Sequence, residues 1–140
     1  MNARHAIVRT VWGVVAPALI VLITVVSLRA HHSLASQFDE SKPLTLQGVI
    51  TKVDWVNPHV FVYLDVTEKN GSVSTWSLET LPPGTLRRSG LRSEMLGKGE
   101  NVTVLAYQAR TDPKLAFLRK ITFADGRDIV IWVGDIKQLK

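Results

Sequence analysis

Few residues in this chain have side chains suited to chemistry, and the histidines lead them. His31 and His32 adjoin one another, and His59 closes the run Trp55-Val56-Asn57-Pro58-His59. Neutral imidazole is a good ligand for copper, zinc, nickel and iron. A cut after Ala30 would make His31 the first residue, adding a free α-amine to its ring nitrogen. That pair of nitrogens suits the tetragonal preference of Cu(II), and His32 or His59 would supply a further one. The sequence therefore gives His31, His32 and His59 as metal ligands, with copper the expected metal. The metal-free alternative is a solvated His-His pair near a terminus and a corner histidine that bonds turn backbone. Asp65 lies too far along the strand from His59 to bind the same ion directly.

A second group of residues suits a ligand surface. Trp55 and Asn57 share the corner with His59, Phe61 and Tyr63 follow it on the same strand face, and Arg87 and Arg88 lie in a later helical or turn segment. Aromatic rings with arginines could hold a single strand of nucleic acid, a small ligand or an envelope protein. The charge argues against nucleic acid. The formal charge is +5, but residues 1–30 hold Arg4, Arg9 and Arg29 and no acid, so residues 31–140 carry 14 basic against 12 acidic residues. Nucleic acid is excluded from the expected partners on this ground and on that of export.

Enzyme chemistry finds no complete constellation, and the chain reads as a binder with no catalytic residue assigned. There is no cysteine, which removes disulfides and thiolate chemistry. Asp39 and Glu40 are adjacent and diverge in an extended segment; a carboxylate pair would need Glu79 or Asp54 brought in by folding. Ser33 beside the histidines matches no nucleophile motif.

The elements that must position these residues can be read in order. Residues 1–30 have a positive start (Arg4, Arg9), an apolar run from Val11 to Leu28 and a small Ala30, the pattern of an export signal. An uncleaved anchor is the alternative, since about 18 apolar residues come close to spanning a bilayer. The expected location is periplasmic or secreted, or held at the inner membrane facing the periplasm, with membrane contact only through an uncleaved leader. Residues 31–43 form a polar arm, either one helical turn or extended, ended by Pro43. Residues 44–135 form the domain, and 136–140 a frayed tail.

Within the domain, Leu44–Trp55 changes apolar phase at Gly48, as a bulge or bend would require. His59–Val66 alternates cleanly with Val60, Val62, Leu64 and Val66 on one face. Lys69-Asn70-Gly71-Ser72 is a hairpin turn, and Val73–Thr80 follows with Trp76 and Leu78 buried. Pro82-Pro83-Gly84 breaks the sheet before the short helical segment Thr85–Arg92. Strands Asn101–Arg110, Ala116–Phe123 and Asp128–Val133 complete the set. The fold class is mainly β: a small OB-like barrel of five to six strands with one short helical connection, preceded by an apolar signal helix. A plain antiparallel sandwich or meander is the alternative.

These residues together resemble a family of small exported bacterial proteins of unknown function. The resemblance rests on His31-His32-Ser33, Phe38-Asp39, Lys42-Pro43 leading into Leu46-x-Gly48, and Trp55-x-Asn57-Pro58-His59. It continues through Leu86-Arg87-Arg88, Leu96-x-x-Gly99-x-x-Val102-x-Val104 and Ala124-Asp125-Gly126-Arg127. It implies a periplasmic one-domain β protein whose histidines fall at motif positions, and it supplies no established activity.

Overall fold

A period of two along Val60–Val66 can bury only one face of a strand, and the other must meet something else. The computed structural model describes residues 34–135, and there Val60, Val62 and Leu64 are fully buried while Phe61, Tyr63 and Asp65 between them stay partly exposed. The chain divides into two units, residues 1–32 and 33–140. The proposed leader, His31, His32 and the tail 136–140 lie outside the described residues.

The described elements are α1 (Leu34–Gln37), β1 (Phe38–Asp54), β2 (Phe61–Thr67), β3 (Val73–Glu79), α2 (Pro83–Arg88), a 3-10 turn (Ser93–Met95), β4 (Asn101–Ala109), β5 (Leu115–Phe123) and β6 (Asp128–Val130). The strands form one sheet in the order β3-β2-β1-β4-β5-β6, with neighbours antiparallel. A further pairing, β3 with β5, is parallel and joins Ser77, Leu78 and Glu79 to Leu115, Ala116 and Phe117. Five strands thus make a ring of hydrogen bonds, with β6 outside it.

The 17-residue β1 is the strand that makes the ring turn. Its first half pairs with β4, from Pro43↔Tyr107 to Val49↔Asn101, and its second half with β2, from Val49↔Asp65 to Asp54↔Phe61. Only near Val49 does it serve both. The phase change read at Gly48 falls at this hand-over, and a register shift follows between Ile50 and Lys52. Gly48 is there for space: a Cβ at that position would fall on the carbonyl oxygen of Asp65. β1 starts at Phe38, inside the stretch read as a polar arm, and runs through Pro43. Proline has no N–H to give a ladder, and the β1–β4 register is irregular between Phe38 and Pro43.

The remaining boundaries follow local chemistry. Asn70 and Gly71 turn β2 into β3, with Gly71 at φ 82°. Pro83 stands at the first helical position of α2, where a missing N–H costs nothing, and Leu86 buries that short helix against the core. Phe38, Ile50, Leu78, Leu91, Phe117, Leu118 and Ile121 are completely buried in one apolar cluster.

Candidate functional site

The corner between β1 and β2 is built by six residues that leave the ladder at Asp54 and rejoin it at Phe61. Asn57-Pro58 is a cis peptide within it. Backbone bonds from Thr80 N–H to the Val60 carbonyl (2.9 Å) and from Val60 N–H to the Leu81 carbonyl extend the β2–β3 pairing past its last paired residues, Phe61 and Glu79. His59 and Phe61, two residues apart, share the outward face, and Glu79 stands opposite Phe61. This register brings His59 to Glu79.

Their side chains meet directly. His59 Nδ1 lies 2.5 Å from Glu79 Oε1. Gln37 Nε2 donates to the other oxygen, Oε2, at 3.1 Å. Glu79 is 6% exposed, one of two buried polar residues among those described, the other being Thr80. With no water to serve it, a buried carboxylate needs such donors. With Glu79 as a carboxylate, Nδ1–H is the donor to it, and a neutral imidazole in that tautomer carries its lone pair on Nε2. That nitrogen has no hydrogen-bond partner among the described residues, and the imidazole is 33% exposed.

Gln37 is held in place by its neighbours. The Arg110 N–H donates to its carbonyl at 2.9 Å, and Phe38 next to it is fully buried against Phe117, ring centroids 5.6 Å apart. Asp39 pairs with Arg110 at 3.3 Å. The Ser41 hydroxyl bonded to Asp39, helped by Arg110 and Lys42, holds the Asp39 carboxyl below its ordinary range.

The other sequence-derived residues are spread out. Trp55 is half-buried and its indole N–H is shielded from solvent without an acceptor among the described residues; Asn57 is exposed. Phe61 and Tyr63 are half-buried on the outward face, with Lys52 Nζ 4.9 Å from the Tyr63 ring centroid. Arg87 and Arg88 are exposed at the end of α2, where Arg88 donates to Thr85 Oγ1 at 3.1 Å. No hydrogen bond or ion pair among the described residues joins these arginines to the His59 corner. A cleft of about 480 Å³ lies elsewhere, between β1 residues 45–49 and β2 residues 65–67 with Glu68 after them, beside Asn101, and none of the predicted ligand residues lines it.

Sequence reasoning missed Gln37 altogether and named Glu79 only as a partner for another carboxylate. The signal available for Glu79 was a charged residue ending a strand whose outward face otherwise carries Val73, Thr75 and Ser77. Among the described residues no group of three or more His, Cys, Asp or Glu could hold a metal ion. Of the predicted metal ligands His31, His32 and His59, only His59 falls within the described residues.

A family model described as "Family of unknown function (DUF6152)" matches residues 19–116. The chain belongs to this family. No curated protein matches the sequence. Among solved structures, the chain is similar to the mitochondrial single-stranded DNA binding protein Rim1 of S. cerevisiae, at 15% identity and a TM-score of 0.47, covering 62% of this chain and 94% of that one. It is also similar to a chain from a complex of TiaS with tRNA and ATP, at 20% identity and a TM-score of 0.45, over 61% of this chain and only 19% of that one. At these scores the likeness assigns neither fold nor partner.

One expectation is corrected by them. The near-neutral charge of residues 31–140 argues for excluding nucleic acid, yet both similar structures are of proteins named with nucleic acid, so the exclusion does not stand. Net charge sums over a whole surface and says little about one face. No helix among the described residues is long and apolar enough to cross a membrane.

Proposed function

We propose that this family member is an exported one-domain protein that binds a transition metal, copper first, with His59 Nε2 as a ligand. The observation that carries the reading is the 2.5 Å contact between His59 Nδ1 and the buried Glu79 carboxylate. A carboxylate behind a histidine fixes its tautomer, aims the far nitrogen outward and raises its basicity, which is the usual support for a metal-binding imidazole. His31 and His32 are proposed as the remaining ligands. Copper is preferred because a mature chain starting at His31 would add an α-amine to the nitrogen set. Gln37, which bonds the same carboxylate as His59, follows His32 by five positions.

The architecture we propose is an OB-like barrel. The ring order β1-β2-β3-β5-β4, its parallel β3–β5 seam and the helix between β3 and β4 support it. A metal-free ligand- or protein-binding corner is the second reading, favoured by Val56 at 55% exposure beside exposed Asn57 and Pro58.

The test is a Cu(II) titration of protein recovered from the exported fraction, its N-terminus fixed by intact mass. Stoichiometric binding that disappears in His31→Ala and His59→Ala, and weakens about 10- to 100-fold in Glu79→Gln, is the expected result. Weak binding, equal in all four proteins, sinks the metal reading and leaves the second.

A further inference from the structure

The sequence contains two Asn-x-Ser/Thr triplets, Asn70-Gly71-Ser72 and Asn101-Val102-Thr103. Such triplets accept N-linked glycans in exported proteins, provided that they are exposed and can present the asparagine amide. The structure treats the two very differently.

Asn70, Gly71 and Ser72 are all exposed at the tip of the β2–β3 hairpin. The turn is closed by the Glu68 N–H donating to the Ser72 carbonyl at 2.8 Å and the Gly71 N–H donating to the Glu68 carbonyl at 2.9 Å. Asn70 Oδ1 accepts from the Ser72 N–H at 3.0 Å and from the Ser72 hydroxyl at 2.7 Å. The triplet is thus folded back on itself, with the hydroxyl already on the amide oxygen, and Nδ2 donates to nothing among the described residues. Polarising the amide oxygen in this way makes the nitrogen easier to deprotonate as it attacks.

The second triplet is extended in β4. Asn101, Val102 and Thr103 pair with Val49, Gly48 and Gln47 of β1, and on the other side Val102 and Thr103 pair with β5. No hydrogen bond joins the Thr103 hydroxyl to the Asn101 amide among the described residues, and the ladders hold the triplet extended. Bending this triplet would tear two ladders.

We infer that Asn70 is an acceptor for N-linked oligosaccharide and that Asn101, in the folded protein, is not. The donor is a lipid-linked oligosaccharide diphosphate and the catalyst a membrane oligosaccharyltransferase. The Asn70 Nδ2–sugar C1 bond forms, the C1–oxygen bond to the diphosphate breaks, the lipid diphosphate leaves with the electron pair, and one amide proton passes to the transferase. In the cell the modification rests on the export proposed above, though not on metal binding.

The experiment treats the purified full chain, native and urea-unfolded, with a single-subunit oligosaccharyltransferase and lipid-linked oligosaccharide, and reads peptides by mass spectrometry. Expected is glycan on Asn70 alone in the native chain, at both asparagines after unfolding, and none on the native chain in Asn70→Gln or Ser72→Ala. A native chain left bare at Asn70 while the unfolded chain is modified overturns the inference, as does modification of native Asn101. A parallel fractionation of cells carrying the same transferase separates the two readings. Glycan in the purified reaction with the chain retained in the cytoplasm refutes export, whereas an exported chain bare at Asn70 refutes the acceptor role.

Discussion

Lys114 reaches Glu68 across 46 positions of sequence, its ammonium 2.8 Å from Oε1. It also lies 3.0 Å from Ser74 Oγ and 4.8 Å over the Trp76 ring centroid. One cation thereby ties the lead-in of β5 to the β2–β3 hairpin, beside the parallel seam that closes the ring. The lysine's hydrogen bond, followed by that of Ser74, lowers the Glu68 carboxyl from its ordinary 4.5. A carboxylate with a lowered folded-state value stabilises the fold above the ordinary value, and this contribution is lost as pH falls through the lowered one. Lys114→Met should therefore lower thermal stability near neutral pH and make the loss of stability below pH 4.5 shallower than in the parent. The pair is half exposed, so the effect shrinks in high salt. Thermal melts from about pH 3 to 7 at two salt concentrations check it; identical profiles for the two proteins would refute the tie.

Gly48 is the point where β1 passes between ladders, and a methyl group there has nowhere to go. Gly48→Ala should cost about 2–3 kcal/mol, in the range of an overpacked core site, because its contact is rigid backbone and not a side chain that can swing away. Urea unfolding gives the value. A loss below about 0.5 kcal/mol would show that β1 and β2 can part at Asp65 without penalty, as an ordinary surface substitution would.

Gln37 links stability to the proposed metal site. Gln37→Ala leaves Glu79 Oε2 buried without its donor, so stability should fall by about 1–3 kcal/mol. Copper affinity should fall about 10-fold with it, since the carboxylate that orients His59 loses its own anchor. Titration and urea unfolding on the same preparation separate the two effects. A destabilised protein with unchanged copper affinity would confine Gln37 to a structural role.

What the sequence made legible was local. The alternation around Leu64, the Asn70-Gly71 turn and the end of β3 before Pro82 each depend on a few adjacent residues and fall where those residues put them, whereas the helix expected over Thr85–Arg92 takes in Pro83 and Gly84 and stops at Arg88. The start of β1 eludes such a reading because Pro43 looks like a terminator, although the irregular register between Phe38 and Pro43 accommodates it. Closure of the ring is beyond a local reading, since Ser77↔Leu115 depends on no shared pattern in the two strands. The same limit applies to the site. His59 stands out beside Pro58, whereas Glu79 and Gln37 join it only through the Phe61↔Glu79 register and the docking of Phe38 on Phe117.

The parallel seam between β3 and β5 also bears on how the chain finds its structure. The β2–β3 and β4–β5 ladders can zip from their own short turns, while β1 meets β4 only after β2, β3 and α2. The seam cannot zip in that way, because Ser77 meets Leu115 only after the whole intervening segment, with α2 and β4, has been laid down. The entropy of closing so long a loop must be met before its three residue pairs return anything. Ring closure thus depends on residues distant in sequence, and wherever the seam is open the edges of β3 and β5 are free to pair with another chain.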